Sequence, residues 1–187
     1  MHPHLASVLA ALDDSRQSLE QAVGDVAPAK RALRPAPERW SLSEVLEHLS
    51  LAEASFTGWI ATGIDKARAG GIGREGAERS PLPEAVRARL ADRVNRRTAP
   101  ERVQPKGEMS ADDAWKAVVE VERRLKEVLV AADGLALNEV IVEHPALGPF
   151  NVYQWVELMA AHRRRHVEQV REIAAAFREA SAQGQVP

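Results

Sequence analysis

Three observations predict an all-α fold. Four segments place apolar residues at helical spacing, capping residues stand at the starts of three of them, and strand character is found chiefly in a short patch, Val140 to Val142. Two long connections rich in Gly and Pro separate the segments, which favours a four-helix bundle with long crossover loops.

The first helix is predicted from about Leu5 to about Val23, with Leu5, Val8, Leu9, Leu12, Leu19 and Val23 near one face. GDVAPAKRALRPAPERW ends it, because proline lacks the amide hydrogen a helix interior needs. The second helix begins in WSLSEVLEHLSLAEASFTGWI, where Ser41 and Glu44 have capping-box spacing. The connection GIDKARAGGIGREGAERSPLPEAV follows, and Glu84 to Arg97 has room for a short helix.

A third helix is predicted over Ala111 to Ala132, with Trp115, Val118, Val119, Leu125, Val128 and Leu129 apolar and Ser110 or Asp112 as cap. ADGLALNEVIVEHPALGPF is read as irregular, with Gly134 stopping the preceding helix. The last helix starts at Asn151, paired with Gln154 in a looser capping pattern, and carries Trp155, Met159, Val170, Ile173 and Phe177 on one face. These segments are expected to form a single domain over residues 1–178, leaving a polar tail over 179–187.

A formal charge of −2 argues against whole-chain attraction to nucleic acid, membrane surfaces or a strongly acidic substrate, and leaves room for a local basic face. Without cysteine there is no disulfide, thiolate ligand or cysteine nucleophile, so any thiol chemistry needs a thiol from outside. MHPHLASVLAALDD lacks the pattern of a secretory signal, and no uninterrupted apolar run exceeds five residues. The expectation is a cytoplasmic protein with no membrane partner.

MAAHRRRHVEQV carries the most chemical information. His162 and His166 lie at i and i+4, on the stripe formed by Trp155, Met159, Val170, Ile173 and Phe177. At about 100° per residue, Arg163 and Arg165 flank that stripe and Arg164 points away from it, so the arginines are expected on the sides and back of the helix, as solvated surface. Two imidazoles on a core face each need a partner for their polar nitrogens. Coordination of one metal ion satisfies them, and so does packing with hydrogen bonds to carboxylates or carbonyls. His48, at the edge of the apolar stripe of the second helix, offers a third imidazole. Three histidines would leave one coordination position open.

RWSLSEVLEHLSLAE and HPALGPFNVYQWVELMAAHRRRHVEQV resemble the DinB-like superfamily of four-helix proteins, which includes YfiT-type metal-dependent hydrolases. The resemblance rests on Trp40, His48, His144-Pro145 with Gly148, His162, His166 and Gln169, and fits the first helix and ERVQPKGEMS only loosely. It implies that His48, His162 and His166 bind a divalent metal, zinc or nickel, in an enzyme acting on a small molecule. Hydrolysis and transfer to a low-molecular-weight thiol cosubstrate are the two reactions implied, and homodimers are common among such relatives. A noncatalytic metal-stabilised bundle or small-ligand-binding protein is the alternative.

Glu44 is read as a cap, and neither it nor Glu47 has a strong claim to be a general base; Glu53 can approach the core face. His144 is expected to support the ligands rather than join them. His2 and His4 are expected in a mobile terminus. GIGREG, Gly71 to Gly76, has the spacing of a dinucleotide fingerprint without the preceding strand or following helix, and is read as part of a loop, residues 69–83, able to cover the metal pocket. RVNRRTAPERVQPK is basic without interleaved aromatics, so solvated surface is expected there and nucleic acid is not.

Overall fold

The computed structural model describes residues 1–95 and 98–183. Their α-helices are α1 (Pro3–Gly24), α2 (Leu42–Ala69), α3 (Glu84–Ala91), α4 (Ala111–Ala131) and α5 (Val152–Ala182). Single 3-10 turns lie at Pro28–Lys30 and Glu101–Val103. A hairpin of β1 (Ile141–His144) and β2 (Gly148–Asn151) lies in the segment read as irregular, with Val142 opposite Phe150 and His144 opposite Gly148. The protein is therefore mostly helical with one small antiparallel sheet.

Local chemistry sets the ends of the long helices. Ser41 and Glu44 form a full capping box at α2, and Asn151 and Gln154 form another at α5, so side chains satisfy amides that the first helical turn leaves open. Ser110, not Asp112, caps α4 by accepting from the Asp113 amide. Beyond α4, Gly134 adopts φ 83°, a left-handed conformation that costs glycine no Cβ clash. The hairpin docks on α2 at Gly63, where an added Cβ would collide with the Val142 side chain.

α1 packs along α5 and α2 along α4, while α2 also meets α5 and α3 lies against α5. The four long helices contribute to two apolar clusters. One holds Leu12, Ala52, Leu125 and Met159; the other holds Leu19, Leu49, Val118 and Val167. Between the clusters each helix places a buried or partly buried polar residue: Ser15 on α1, His48 and Glu53 on α2, Glu122 on α4, and His162, Arg163 and His166 on α5. A polar layer thus crosses the middle of the protein.

Several expectations change. Arg163 was expected on solvated surface and is instead 0% exposed. Because α5 is packed by both α1 and α2, a position beside its apolar stripe is still interior. Arg164 is exposed, as expected, and Arg165 is half-buried. Val119, one of the apolar members predicted on α4, is 39% exposed. The amino terminus is docked rather than mobile: the His2 amide donates to Asp133 at 2.8 Å, and the His4 ring meets Tyr153 edge-on with centroids 5.8 Å apart. Of the expected tail, residues up to Ala182 continue α5, and 184–187 lie outside the described residues.

Candidate metal centre

His48 comes from the second turn of α2, and His162 and His166 from successive turns of α5. One ring nitrogen from each lies within 4.8 Å of the others. Nε2 of His162 and Nε2 of His166 are 3.2 Å apart. That is close to the roughly 3.3 Å between two ligands of a tetrahedral zinc with bonds of about 2.0–2.1 Å. The His48 ring lies 5.4 Å from His162 and 4.8 Å from His166, centroid to centroid.

Hydrogen bonds fix which nitrogen is free in two of the three rings. His48 Nδ1 is 2.7 Å from the carbonyl oxygen of Val103. A carbonyl can only accept, so Nδ1 carries the proton and Nε2 keeps its lone pair. His166 Nδ1 stands 2.9 Å from Gln169 Oε1, with the same consequence. His162 Nδ1 is buried without a hydrogen-bond partner. The ring's polar contact is through Nε2, which shares a hydrogen bond with His166 Nε2 in the metal-free protein and is the nitrogen placed to meet a cation.

Burial is the main force holding all three imidazoles neutral. It pushes His48 down against the pull of the Val103 carbonyl. His162 falls to about 3, through burial first and then the charge of His48 and of nearby arginines. Burial, followed by His162 and His48, sets His166 well below its ordinary value. Neutral imidazole is the form that coordinates metal, so the donor set fits a divalent cation.

The cluster opens into a cavity of about 880 Å³, whose apolar wall includes Trp40, Phe56, Leu147 and Leu158. That volume lies in the range of about 300–1,000 Å³ usual for small-molecule sites. Trp40 also leans on His48, with ring centroids 5.0 Å apart. His144 lines the cavity from β1, outside the three-histidine cluster, with its ring 5.2 Å from Trp155 and 6.0 Å from Phe56.

The loop at residues 69–83 does not cover this cavity; residues in the 89–105 segment do. The Gly-rich stretch pairs elsewhere, with Arg74 bridged to Leu135, while the Glu75 carboxylate accepts from the Leu137 amide and the Tyr153 hydroxyl. Arg93 and Arg102, expected as solvated surface, line the cavity, and Arg96 and Arg97 of the same basic stretch lie outside the described residues.

The carboxylates near the cluster have other partners. Glu44 caps α2 and pairs with Arg34. Glu47 accepts from the amides of Lys106 and Gly107 at 3.0 and 2.9 Å. Glu53 is 0% exposed and binds Arg163 through both oxygens, at 3.0 and 2.6 Å. Arg163 also donates to Glu122 at 2.5 Å, and Glu122 in turn pairs with Arg16 and Lys126. Burial alone would lower the Arg163 guanidinium, but Glu53 and Glu122 outweigh it and hold the group protonated.

A predominantly helical protein with three neutral histidines converging at a cavity is the class that fold and site define. The chain belongs to the DinB superfamily, whose sequence pattern matches residues 11–170. It is also similar to the uncharacterized protein YuaE of Bacillus subtilis (strain 168), with 27% identity over 140 residues, 75% of this chain and 80% of that one. No solved structure matches it.

Proposed function

We propose that His48, His162 and His166 hold one divalent cation, zinc or nickel, and that the adjoining cavity is where a small molecule reacts. The observation that carries this reading is the convergence of three neutral ring nitrogens, within 4.8 Å of one another, beside a cavity of about 880 Å³. Such a cation would supply Lewis acidity and would lower the pKa of a coordinated thiol or water. The protein's own part is to present lone pairs and to shape the cavity. Val103 and Gln169 orient His48 and His166 through their Nδ1 protons. Trp40, Phe56 and Leu158 supply apolar surface beside the histidines.

The reaction is transfer to an external low-molecular-weight thiol or metal-assisted hydrolysis, and the absence of cysteine is compatible with both. The four long helices are assigned to a four-helix bundle with crossover loops, one domain over 1–178 with a polar tail over 179–187, in a cytoplasmic homodimer without a nucleic-acid partner. Among the described residues no helix is long and apolar enough to cross a membrane. A noncatalytic metal-stabilised ligand binder is the second reading, favoured by the engagement of Glu44, Glu47 and Glu53, the α2 carboxylates nearest His48 in sequence, with other partners.

The test is a screen of metal-loaded, untagged protein against several thiols and electrophilic acceptors, with hydrolysable esters and amides in parallel. Turnover that disappears in His166→Ala supports catalysis at this centre. Turnover unchanged by that substitution refutes it, and bound metal without turnover in any arm favours the ligand-binding reading.

A further inference from the structure

The cavity beside the histidines is basic in a chain whose net charge is −2. Six arginines line it against two glutamates, Glu38 and Glu172. Much of that arginine charge already has a partner. Arg34 pairs with Glu44, and Arg39 and Arg93 share Glu172. Arg165 donates to the carbonyls of Leu90 and Asp92.

Arg89 and Arg102 differ. Neither has a carboxylate partner among the described residues, and both are exposed residues that line the cavity. Arg102 lies over the Trp59 ring, 5.2 Å from its centroid, which steadies the guanidinium without neutralising it. Both act on the same neighbour: burial first, then Arg102 and Arg89, push the His144 imidazole below its ordinary value. His144 is therefore neutral at neutral pH and does not add a third cation at this corner.

One aromatic ring links this corner to the metal-binding candidates. Phe56 lies 6.0 Å from His144 and 5.9 Å from His162, centroid to centroid. Phe56 thus stands between the corner that Arg89 and Arg102 act on and the histidine cluster. Two guanidiniums that line one cavity, neither paired with a carboxylate among the described residues, suit an anion that accepts paired N–H bonds.

We propose that the small molecule taken by this cavity carries a carboxylate or phosphate group, and that Arg89 and Arg102 receive that group while its other end faces His48, His162 and His166. This substrate class rests on the reading of the cavity as the reaction site. Arg89 and Arg102 are binding residues that select substrate by charge.

Benzoate, phenyl phosphate and uncharged benzamide are suitable probes, because they share one ring and differ in charge. Their binding is measured by quenching of tryptophan fluorescence, on protein stripped of metal by chelation and again after zinc loading. The stripped protein reports the arginines alone, since a bound cation would attract anions itself. Benzoate or phenyl phosphate should bind stripped protein at least about tenfold more tightly than benzamide, and Arg89→Gln and Arg102→Gln should each lose about tenfold. Whichever of the two anions binds more tightly identifies the acidic group. Higher salt should weaken binding of the anions and leave benzamide unchanged.

Equal binding of all three probes, or anion binding unchanged in the Arg89→Gln/Arg102→Gln double variant, overturns the proposal. Zinc binding is measured on the same samples. Zinc bound without anion selectivity defeats the anion site alone, whereas anion selectivity without zinc supports the anion site and defeats the metal centre.

Discussion

The polar layer across the middle of the protein has two halves built on opposite principles. In one, Arg163 is fully buried between Glu53 and Glu122, and Lys126 and Arg16 complete the pairing at the edge. Its charges are matched within the protein. In the other, three imidazoles are held neutral, two of them tethered at Nδ1, and they converge on a cavity. There His162 Nδ1 has no hydrogen-bond partner. Adjacent residues of α5, His162 and Arg163, belong to different halves. A buried polar group can be fully satisfied and support only the fold, or be left partly unsatisfied and offer chemistry.

Substitutions should separate the halves, with the largest loss of stability in the sealed one. Arg163→Met leaves two carboxylates buried without their shared cation and should cost about 3–5 kcal/mol in urea unfolding followed by tryptophan fluorescence. A loss below 1 kcal/mol would mean that this half is as open as the other. His166→Ala should do the opposite. Removing one of three ligands should weaken zinc or nickel binding by more than about a hundredfold, beyond the range for supporting residues, while stability without metal changes far less than in Arg163→Met. If His166→Ala unfolds the metal-free protein as readily, the histidines are core packing and the contrast fails.

Gln169→Ala tests the tether alone. It keeps every ligand and should lower metal affinity by about ten- to hundredfold, read by competition with a chromogenic chelator. Unchanged affinity would show that the Nδ1 hydrogen bond does not orient His166.

The smallest effect is expected outside the layer, at the cap of α2. Burial pushes the Glu44 carboxyl up, but its bonds to Arg34 and Ser41 outweigh that and leave it below the ordinary 4.5. A depressed carboxyl contributes stability above its unfolded value and loses it as pH falls through the folded value. Glu44→Gln, which can still cap, should therefore cost less than about 1 kcal/mol at pH 7. That difference should shrink in unfolding curves taken at progressively lower pH below 4.5, and a difference that grows with acid would contradict the assignment.

The long helices and their caps were legible because period, Ser41–Glu44 and Asn151–Gln154 are local signals. The histidine constellation was legible because each member sits on or beside an apolar stripe. Arg163 was misplaced because a helix wheel drawn from one stripe assumes that one face is covered, whereas α5 is packed on several sides. Ser15 and Glu122 carried a readable signal that was missed: each interrupts an apolar stripe at the depth of Glu53 and Arg163. The cavity arginines Arg89 and Arg102 had no such signal, since α3 and the 3-10 turn beyond it are too short to show a period. Nor could the sequence reveal the Val103 carbonyl, because every residue carries one. The Gly-rich loop was assigned to the wrong place because composition marks irregular backbone without saying where it folds.

The central claim is that the open half of the layer is a site for one metal ion. Calorimetric titration of zinc, then nickel, into chelator-stripped, untagged protein tests it most directly, with His48→Ala titrated alongside. The account predicts binding of one ion per chain by the native protein and its loss in His48→Ala, since the distant α2 ligand is needed to complete the set. No binding of either metal, or equal binding by His48→Ala, would contradict it.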